Sequence, residues 1–164
     1  MAAVTFIAYA TLATAASENR SELLGRASVI DGDTVEIHGV HVRIFGIDAP
    51  ESSQLCTDKA GAEYRCGKVA ADALNEFLAR SRPLTCKVVD DDRNHRAVAR
   101  CKRADGADVA TWLVQHGYAL DWPLYSKGEY AALQAKAQAE RAGIWQGDFQ
   151  EPWAYRRDRR AGHS

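Results

Sequence analysis

Residues 27–47 read ASVIDGDTVEIHGVHVRIFGI, and this stretch decides the fold of the chain. Apolar and β-branched residues alternate along it or occur in short groups, as is typical of half-buried strands. The turn-prone segments DGDT (31–34) and HG (38–39) divide it into about three strands. The sequence therefore predicts a small β-meander at the start of the domain.

The segments that follow combine one helix with two more strands and then two further helices. Apolar residues at helical spacing predict a helix over Gly67–Arg82. Strands are predicted at about Leu84–Asp90 and Arg96–Arg103, and helices at about 110–117 and over Glu129–Ala142. Five strands with one helix between the third and the fourth match the OB-fold barrel. The predicted fold is therefore α+β, a five-stranded OB-fold barrel with three helices.

The chain has 164 residues, which suits one domain, predicted over 27–147. Residues 17–26 read as a linker and residues 148–164 as a basic, flexible tail. A solvated, frayed terminus is the favoured interpretation of that tail, with a binding arm as the alternative. The formal net charge of -1 does not by itself indicate a nucleic-acid partner.

Residues 1–16 are predicted to be a signal peptide. They read MAAVTFIAYATLATAA, carry no charged side chain and end in small residues, as a signal peptidase requires. The alternative is a buried N-terminal helix. A secreted or periplasmic location is therefore expected, with no membrane attachment after the signal is removed.

The chain contains four cysteines and no close CxxC pair, which favours disulfides over a zinc site. Cys56 and Cys66 bracket a small polar loop, whereas Cys86 and Cys101 flank two strand-like segments around a turn. We therefore predict the pairs Cys56–Cys66 and Cys86–Cys101. Four reduced, buried thiols would be the alternative in a reducing compartment.

Three acidic residues and one arginine form the candidate site. Asp33 lies in VIDGDTVEI (29–37), and Arg43, Asp48 and Glu51 lie in VRIFGIDAPE (42–51). Carboxylates at strand ends and turns provide hard oxygen ligands for Ca2+ or Mg2+, and a nearby guanidinium can hold a phosphate in a planar fork. This combination indicates phosphodiester hydrolysis.

These two motifs, together with RAVARC (96–101) and GIW (143–145), resemble the staphylococcal nuclease (thermonuclease) family, as a secreted bacterial member. The resemblance covers roughly Ala27–Trp145. It implies Ca2+ as the cofactor, bound by Asp33, Asp48 and the backbone carbonyl of Ala49, where the family usually has threonine.

The resemblance also implies the catalytic roles. Glu51 would act on the attacking water, Arg43 and Arg96 would neutralise charge on the phosphoryl oxygens, and Tyr125 would bind substrate by stacking on a base. Arg93 is the alternative to Arg96. The family usually carries Tyr-Gly immediately before that arginine, where this chain has Asn94-His95, and we expect the turn to have moved by one residue because Asn tolerates a left-handed conformation.

The predicted function is a Ca2+-dependent nuclease that hydrolyses DNA and RNA, preferably single-stranded, to 3'-phosphate ends. The alternative is a noncatalytic OB-fold module that binds nucleic acid or polysaccharide, since proteins of this kind also occur as exopolysaccharide-biosynthesis components. All five site residues that catalysis needs are present, which favours the enzyme. A monomer is expected, because the sequence contains no coiled-coil seam.

Overall fold

The computed structural model describes residues 21–162. The predicted signal peptide, residues 1–16, lies outside the described residues. Within the described part, the chain forms ten strands, five α-helices and one short 3-10 helix. The strands are β1 (Glu22–Gly25), β2 (Ser28–Asp31), β3 (Thr34–Ile37), β4 (Val40–Ile44), β5 (Ile47–Asp48), β6 (Cys56–Thr57), β7 (Glu63–Tyr64), β8 (Leu84–Asp91), β9 (Ala97–Arg103) and β10 (Leu120–Asp121). The helices are α1 (Cys66–Ala79), α2 (Val109–Gln115), α3 (Pro123–Ser126), α4 (Ala131–Ala139) and α5 (Pro152–Ala161), with the 3-10 helix at Gly143–Gln146.

A curled six-stranded sheet dominates the architecture, in the order β1-β8-β9-β4-β3-β2. The predicted meander is present, because β2, β3 and β4 pair antiparallel in sequence order. Strand β9 runs parallel to β4, and α1 lies in the connection between the meander and the β8–β9 hairpin. The predicted α+β class is confirmed, with the half-barrel arrangement expected of an OB-like fold.

The sheet has one more strand than predicted, because β1 lies in the segment expected to be a linker. Strand β1 pairs antiparallel with β8, and Leu23, opposite Cys86, packs against the core. The strand has only four residues, in which the exposed Glu22 and Leu24 alternate with the half-buried Leu23 and Gly25. So short an alternation gives almost no signal in the sequence.

The C-terminal segment also differs from the prediction of a flexible tail, because residues 152–161 form the helix α5. Pro152 occupies the first turn, where its missing N–H costs no hydrogen bond. Pro152 and Ala154 are buried, and Trp153 packs beside Ile144 and Leu120. These apolar contacts hold a helix whose sequence is dominated by arginine.

The main core lies between the inner face of the sheet and helices α1 and α2. Val35, Ile37, Val42, Ile44 and Leu113 are its fully buried centre. A second, smaller cluster joins the loop after β5 to the C-terminal segment; its buried members are Cys56, Cys66, Leu120 and Ile144, with Tyr64, Trp145, Phe149 and Trp153 packed around them.

Both predicted disulfides are present. Cys56–Cys66 joins β6 to the start of α1, and Cys86–Cys101 joins the neighbouring strands β8 and β9. The first therefore closes the loop that follows the candidate glutamate, and the second lies inside the main core. Across residues 21–162, no helix is long and apolar enough to cross a membrane.

Candidate active site

Two buried aspartates lie at the centre of the site, and short local elements place them there. Asp33 ends the tight turn between β2 and β3, and Asp48 ends β5, which pairs with β10. The side chain of Asp33 accepts hydrogen bonds from the backbone N–H of Ala49 at 3.0 Å and from the hydroxyl of Thr34 at 3.0 Å. The turn and the strand end therefore meet through Asp33.

Arg43 joins the two aspartates. Its Nη2 lies 3.0 Å from Oδ2 of Asp33 and 2.6 Å from Oδ1 of Asp48, while its Nη1 donates to Oδ1 of Asp33 at 3.1 Å. Burial by itself lowers the pKa of Arg43, but the charges of Asp33 and Asp48 outweigh that effect, so its pKa is raised. The guanidinium therefore remains charged between two carboxylates.

A second guanidinium, that of Arg156 on α5, also reaches the site. It forms a two-pronged contact with Asp48, with Nη1 2.9 Å from Oδ1 and Nη2 2.7 Å from Oδ2. Its Nη1 also donates to Oε1 of Glu51 at 2.7 Å. Burial alone lowers the pKa of Arg156, yet the hydrogen bonds to Asp48 and Glu51 raise it overall.

Arg156 was not among the predicted site residues, since it lies in the segment interpreted as a flexible tail. Its sequence signal is weak, because four arginines close together at a chain end are usually solvated. The apolar residues Pro152, Trp153 and Ala154 just before the arginines were the available sign that the segment docks.

Trp122 forms an aromatic wall beside both guanidinium groups. Arg43 lies 5.5 Å and Arg156 5.4 Å from the centre of its ring, distances at which a cation is attracted to an aromatic face. Trp122 follows β10 directly. Its backbone N–H donates to the backbone carbonyl of Gly46, and this bond fixes Trp122 next to β5. The sequence analysis gave Trp122 no role.

Glu51 lies at the mouth of the site, with its side chain 34% exposed. Its backbone is held between Gln54, whose side chain accepts from the N–H of Glu51, and Gly67 at the start of α1. A Cβ at Gly67 would overlap the carbonyl oxygen of Glu51, so only glycine permits this approach. Glu51 is therefore both reachable by solvent and fixed by its backbone.

Asp31 is a further carboxylate at the site. Its Oδ1 accepts a hydrogen bond from the backbone N–H of Asp33 at 3.1 Å. Burial, followed by the nearby charge of Asp33, raises the pKa of Asp31 to about 6. Burial also raises the pKa of Asp48, an effect that the hydrogen bonds from Arg156 and the charge of Arg43 oppose. The surroundings of these carboxylates thus favour additional positive charge.

Arg96 lies in the hairpin between β8 and β9. Its backbone N–H and its Nε both donate to Asp92, at 3.0 and 2.8 Å, and these bonds hold the pKa of Asp92 below its usual range despite burial. Among the described residues, no hydrogen bond or ion pair joins Arg96 to Asp33, Asp48 or Glu51. Arg43 pairs with Val98, and Arg96 lies two residues before Val98, immediately ahead of β9.

We expected from the sequence that the turn before Arg96 had moved by one residue. This expectation is wrong. His95 itself adopts the left-handed conformation, with φ of 58°. The carboxylate of Asp92 accepts hydrogen bonds from the backbone N–H groups of Asn94 and Arg96, and these compensate for the strain. The assignment of Arg96 over Arg93 remains a prediction.

Tyr125 on α3 is more than half exposed, and it is connected to the site through its contact with Trp122. Its ring meets Trp122 edge to face, 4.5 Å between ring centres. This arrangement places Tyr125 at the rim, beyond Trp122. Its role in substrate binding remains a prediction.

The donor chemistry at Asp33 and Asp48 fits a hard divalent cation. One nitrogen of Arg43 contacts both carboxylates, so their oxygens lie close together. The hydrogen bond from the backbone N–H of Ala49 to Asp33 also holds the backbone of Ala49 near them. Ca2+ takes carboxylate and carbonyl oxygens together with water, a set these residues can begin to supply. Within residues 21–162, no group of three or more His, Cys, Asp or Glu side chains is placed so that it could hold a metal ion.

Comparisons with known proteins agree with this geometry. A family model described as "Staphylococcal nuclease homologue" matches residues 41–147. "Succinoglycan biosynthesis protein ExoI" of Rhizobium meliloti (strain 1021) is 50% identical over 123 residues, which are 75% of this chain and 64% of that protein. "Probable staphylococcal-like nuclease CAN1" of Oryza sativa subsp. japonica is 33% identical over 133 residues, 80% of this chain and 37% of that protein. The chain therefore spans less than two thirds of the length of either relative.

Proposed function

Because this chain belongs to the staphylococcal nuclease homologue family, we propose that it is a Ca2+-dependent nuclease that hydrolyses DNA and RNA to 3'-phosphate ends. The observation that carries the proposal is the convergence of Asp33, Asp48, Arg43 and Glu51 in one partly buried site. Single-stranded nucleic acid is the proposed substrate, bound by a monomer.

Arg43 is the group that would stabilise charge on the phosphoryl oxygens. Phosphoryl transfer depends mainly on positioning and on stabilising the developing negative charge. Arg43 is held in one orientation by Asp33, Asp48 and the ring of Trp122, so little reorganisation would be needed when a phosphate arrives. Arg96, immediately ahead of the strand that pairs with β4, is proposed to supply the second positive charge.

Glu51 is proposed to take a proton from the attacking water. The oxygen of that water would form a bond to phosphorus, the bond from phosphorus to the 5'-oxygen would break, and the leaving oxygen would gain a proton from solvent. Ca2+ held by Asp33, Asp48 and the carbonyl of Ala49 would polarise the phosphate and neutralise its charge. Glu51 has the exposure that water access requires.

Export to the periplasm or the exterior is part of the proposal. Two disulfides are present, and disulfides form and persist in oxidising compartments. The uncharged leader at residues 1–16 supports the same location.

A second candidate function comes from the relative named as a succinoglycan biosynthesis protein. That name favours a role linked to exopolysaccharide, in which the domain would bind nucleic acid or polysaccharide without cleaving it. The convergent carboxylates and Arg43 argue for the enzyme, because a binding module has no need to hold them together.

The decisive experiment incubates the purified mature protein with denatured DNA and with RNA, in Ca2+ or in excess chelator. We expect cleavage in Ca2+, none in chelator, and products that carry a 3'-phosphate. Glu51→Gln should lower the rate by about 10²- to 10⁴-fold, the usual contribution of a general base. Absence of metal-dependent cleavage by the wild type would end the enzyme proposal, whereas full activity of Glu51→Gln would overturn only the role of Glu51.

A further inference from the structure

Helix α5 presents three arginines to the candidate active site. Arg156, Arg159 and Arg160 are spaced three and four residues apart, which places them on one face of the helix. Together with Glu51 they line an open cavity of about 300 Å3. The proposed catalytic glutamate therefore shares a cavity with a cluster of guanidinium groups.

The helix is fixed in this position by contacts other than Arg156. Trp153 stacks on Trp122 with 6.2 Å between ring centres. On the loop after β5, Ser53 lies 3.2 Å from the hydroxyl of Tyr155 and accepts a hydrogen bond from Arg159 at 3.1 Å. The arginine-bearing face is thus oriented by packing and by hydrogen bonds.

The lining of the cavity suits a phosphate group. It consists of three guanidinium groups and the carboxylate of Glu51, and the guanidinium of Arg156 also binds Asp48. Guanidinium groups bind phosphate through two parallel hydrogen bonds, which makes arginine suited to phosphate recognition. Arg157 is not among the residues that line the cavity, and its side chain is 72% exposed.

Aromatic side chains lie on the neighbouring surface. Trp122 separates the cavity arginine Arg156 from Tyr125, whose ring is 52% exposed. Single-stranded nucleic acid is bound by positively charged grooves with aromatic rings on which bases stack. The combination of arginines and aromatic rings is more typical of a nucleic-acid strand than of an uncharged polymer.

We propose that α5 forms a phosphate subsite of the nuclease, in which Arg159 and Arg160 bind a backbone phosphate next to the one that is cleaved. The inference rests on the proposed function, because it assigns the cavity to the same nucleic-acid substrate. It extends the substrate-binding surface beyond the matched family region, which ends at residue 147.

The first test measures binding without cleavage. Fluorescence anisotropy of a labelled, single-stranded oligodeoxynucleotide is followed in excess chelator at several salt concentrations. For Arg159→Gln/Arg160→Gln we expect roughly tenfold weaker binding and a shallower salt dependence, by about 0.7 in the log–log slope for each phosphate that is no longer neutralised. Arg159→Lys/Arg160→Lys should restore much of the affinity.

The matched control is Arg80→Gln/Arg157→Gln, which removes the same charge from exposed positions outside the cavity. It should bind like the wild type apart from a small uniform loss. Circular dichroism and thermal unfolding of every variant confirm that the fold is retained, and glutamine supports the helix about as well as arginine.

The second test locates the contacted phosphate. Single phosphates beside a unique cleavage site are replaced one at a time by neutral methylphosphonate. We expect the wild type to lose affinity and cleavage rate at one neighbouring position, and Arg159→Gln/Arg160→Gln to have lost that sensitivity already. A purely structural role of the arginines would slow all of these substrates equally and would overturn the subsite.

The outcomes separate this inference from the nuclease proposal. Cleavage by the wild type combined with unchanged binding by Arg159→Gln/Arg160→Gln would reject the subsite alone. Arginine-dependent oligonucleotide binding without cleavage would reject the enzyme and leave the subsite as part of a binding module. Displacement of the oligonucleotide by a carboxylated polysaccharide of equal or higher affinity, with the same arginine dependence, would overturn nucleic acid as the ligand.

Discussion

At the scale of single residues, two guanidinium groups hold three of the carboxylates of the site. Asp33, Asp48 and Glu51 are held by Arg43 and Arg156 through contacts between 2.6 and 3.1 Å. Asp48 is fully buried and depends on both arginines, so removal of either leaves a buried carboxylate short of a partner. Arg156 binds both oxygens of Asp48, a carboxylate that is proposed to bind Ca2+.

The first prediction concerns Arg156→Gln. Removal of this partner of Asp48 should lower the free energy of unfolding of chelator-treated protein by about 3 kcal/mol, the lower end for a broken buried ion pair. The same change should tighten Ca2+ binding, because a competing cation is removed. Thermal unfolding and isothermal titration calorimetry test the two effects.

Arg157→Gln serves as the control for Arg156, since its side chain is largely exposed on the same helix. It should leave both stability and Ca2+ affinity close to those of the wild type. Unchanged Ca2+ affinity in Arg156→Gln would show that its guanidinium and the metal do not compete for Asp48.

The second prediction concerns Asp92→Asn in the β8–β9 hairpin. The pKa of Asp92 is lowered by its bonds to Arg96, so the pairing stabilises the fold above about pH 4 and is lost as the pH falls through the lowered value. The variant should therefore have a lower melting temperature at pH 7, and the difference should close in acid. If Arg96 acts in catalysis, cleavage should also slow, because its guanidinium loses its anchor. A melting-temperature difference that persists undiminished at pH 2 would contradict this account.

At the scale of elements, the start of α1 sets the position of the proposed catalytic glutamate. Gly67 lies against the carbonyl of Glu51, and the preceding residue, Cys66, is tied to Cys56. The helix therefore supports one side of the loop that carries Glu51. On its other side, the loop contacts the segment leading into α5 through the buried Gln54, whose amide donates to the carbonyl of Gln150.

The third prediction is that Gly67→Ala displaces Glu51. An added methyl group must push the backbone of Glu51 away, which should cost about 1–3 kcal/mol of stability. A shift of about 1 Å in a catalytic group should lower the cleavage rate roughly tenfold or more. Gly162→Ala is the control, because its added Cβ would have no neighbour closer than 3.6 Å within residues 21–162. If Gly67→Ala cleaved at the wild-type rate, the contact between α1 and the backbone of Glu51 would not be what positions Glu51.

The meander and the α1 region were predictable because their signals are local. Asp33, Arg43 and Asp48 lie at turns and strands that alternation and turn residues reveal, and the family resemblance added their roles. Strand β1 and helix α5 were not recovered, because their stability comes from distant partners: β8 for the strand, and the loop after β5 for the helix. The contact of Arg156 with the site could not be predicted from helix propensity or from a motif, since it depends on the docking of α5.

At the scale of the whole molecule, one small disulfide loop connects the site to the C-terminal segment. The buried Cys56 and Cys66 form the second core cluster with Leu120 and Ile144, and Trp153 of α5 packs on it. The backbone of Thr57 also pairs with Asp148, ahead of α5. Glu51 thus lies shortly before this loop, and α5 packs along its side.

The fourth prediction is that Cys56→Ala/Cys66→Ala affects both of these functions. Opening a loop of about ten residues should lower the free energy of unfolding by about 3 kcal/mol. The variant should also lose cleavage rate and binding of single-stranded DNA at temperatures where circular dichroism shows it fully folded. Cys86→Ala/Cys101→Ala, inside the main core, should lose stability but retain activity while folded. If both variants were equally active while folded, the Cys56–Cys66 loop would have no role in cleavage beyond stability.

The contact between Arg156 and Asp48 joins residues 108 positions apart in the chain, whereas the hairpin that carries Asp33 and Arg43 is local. Local contacts form fast during folding, and contacts between distant segments form late. We therefore expect the carboxylates to come together early and their second cation to arrive near the end of folding. During that interval the forming site would carry an excess of negative charge, which the docking of α5 through Arg156 would then reduce.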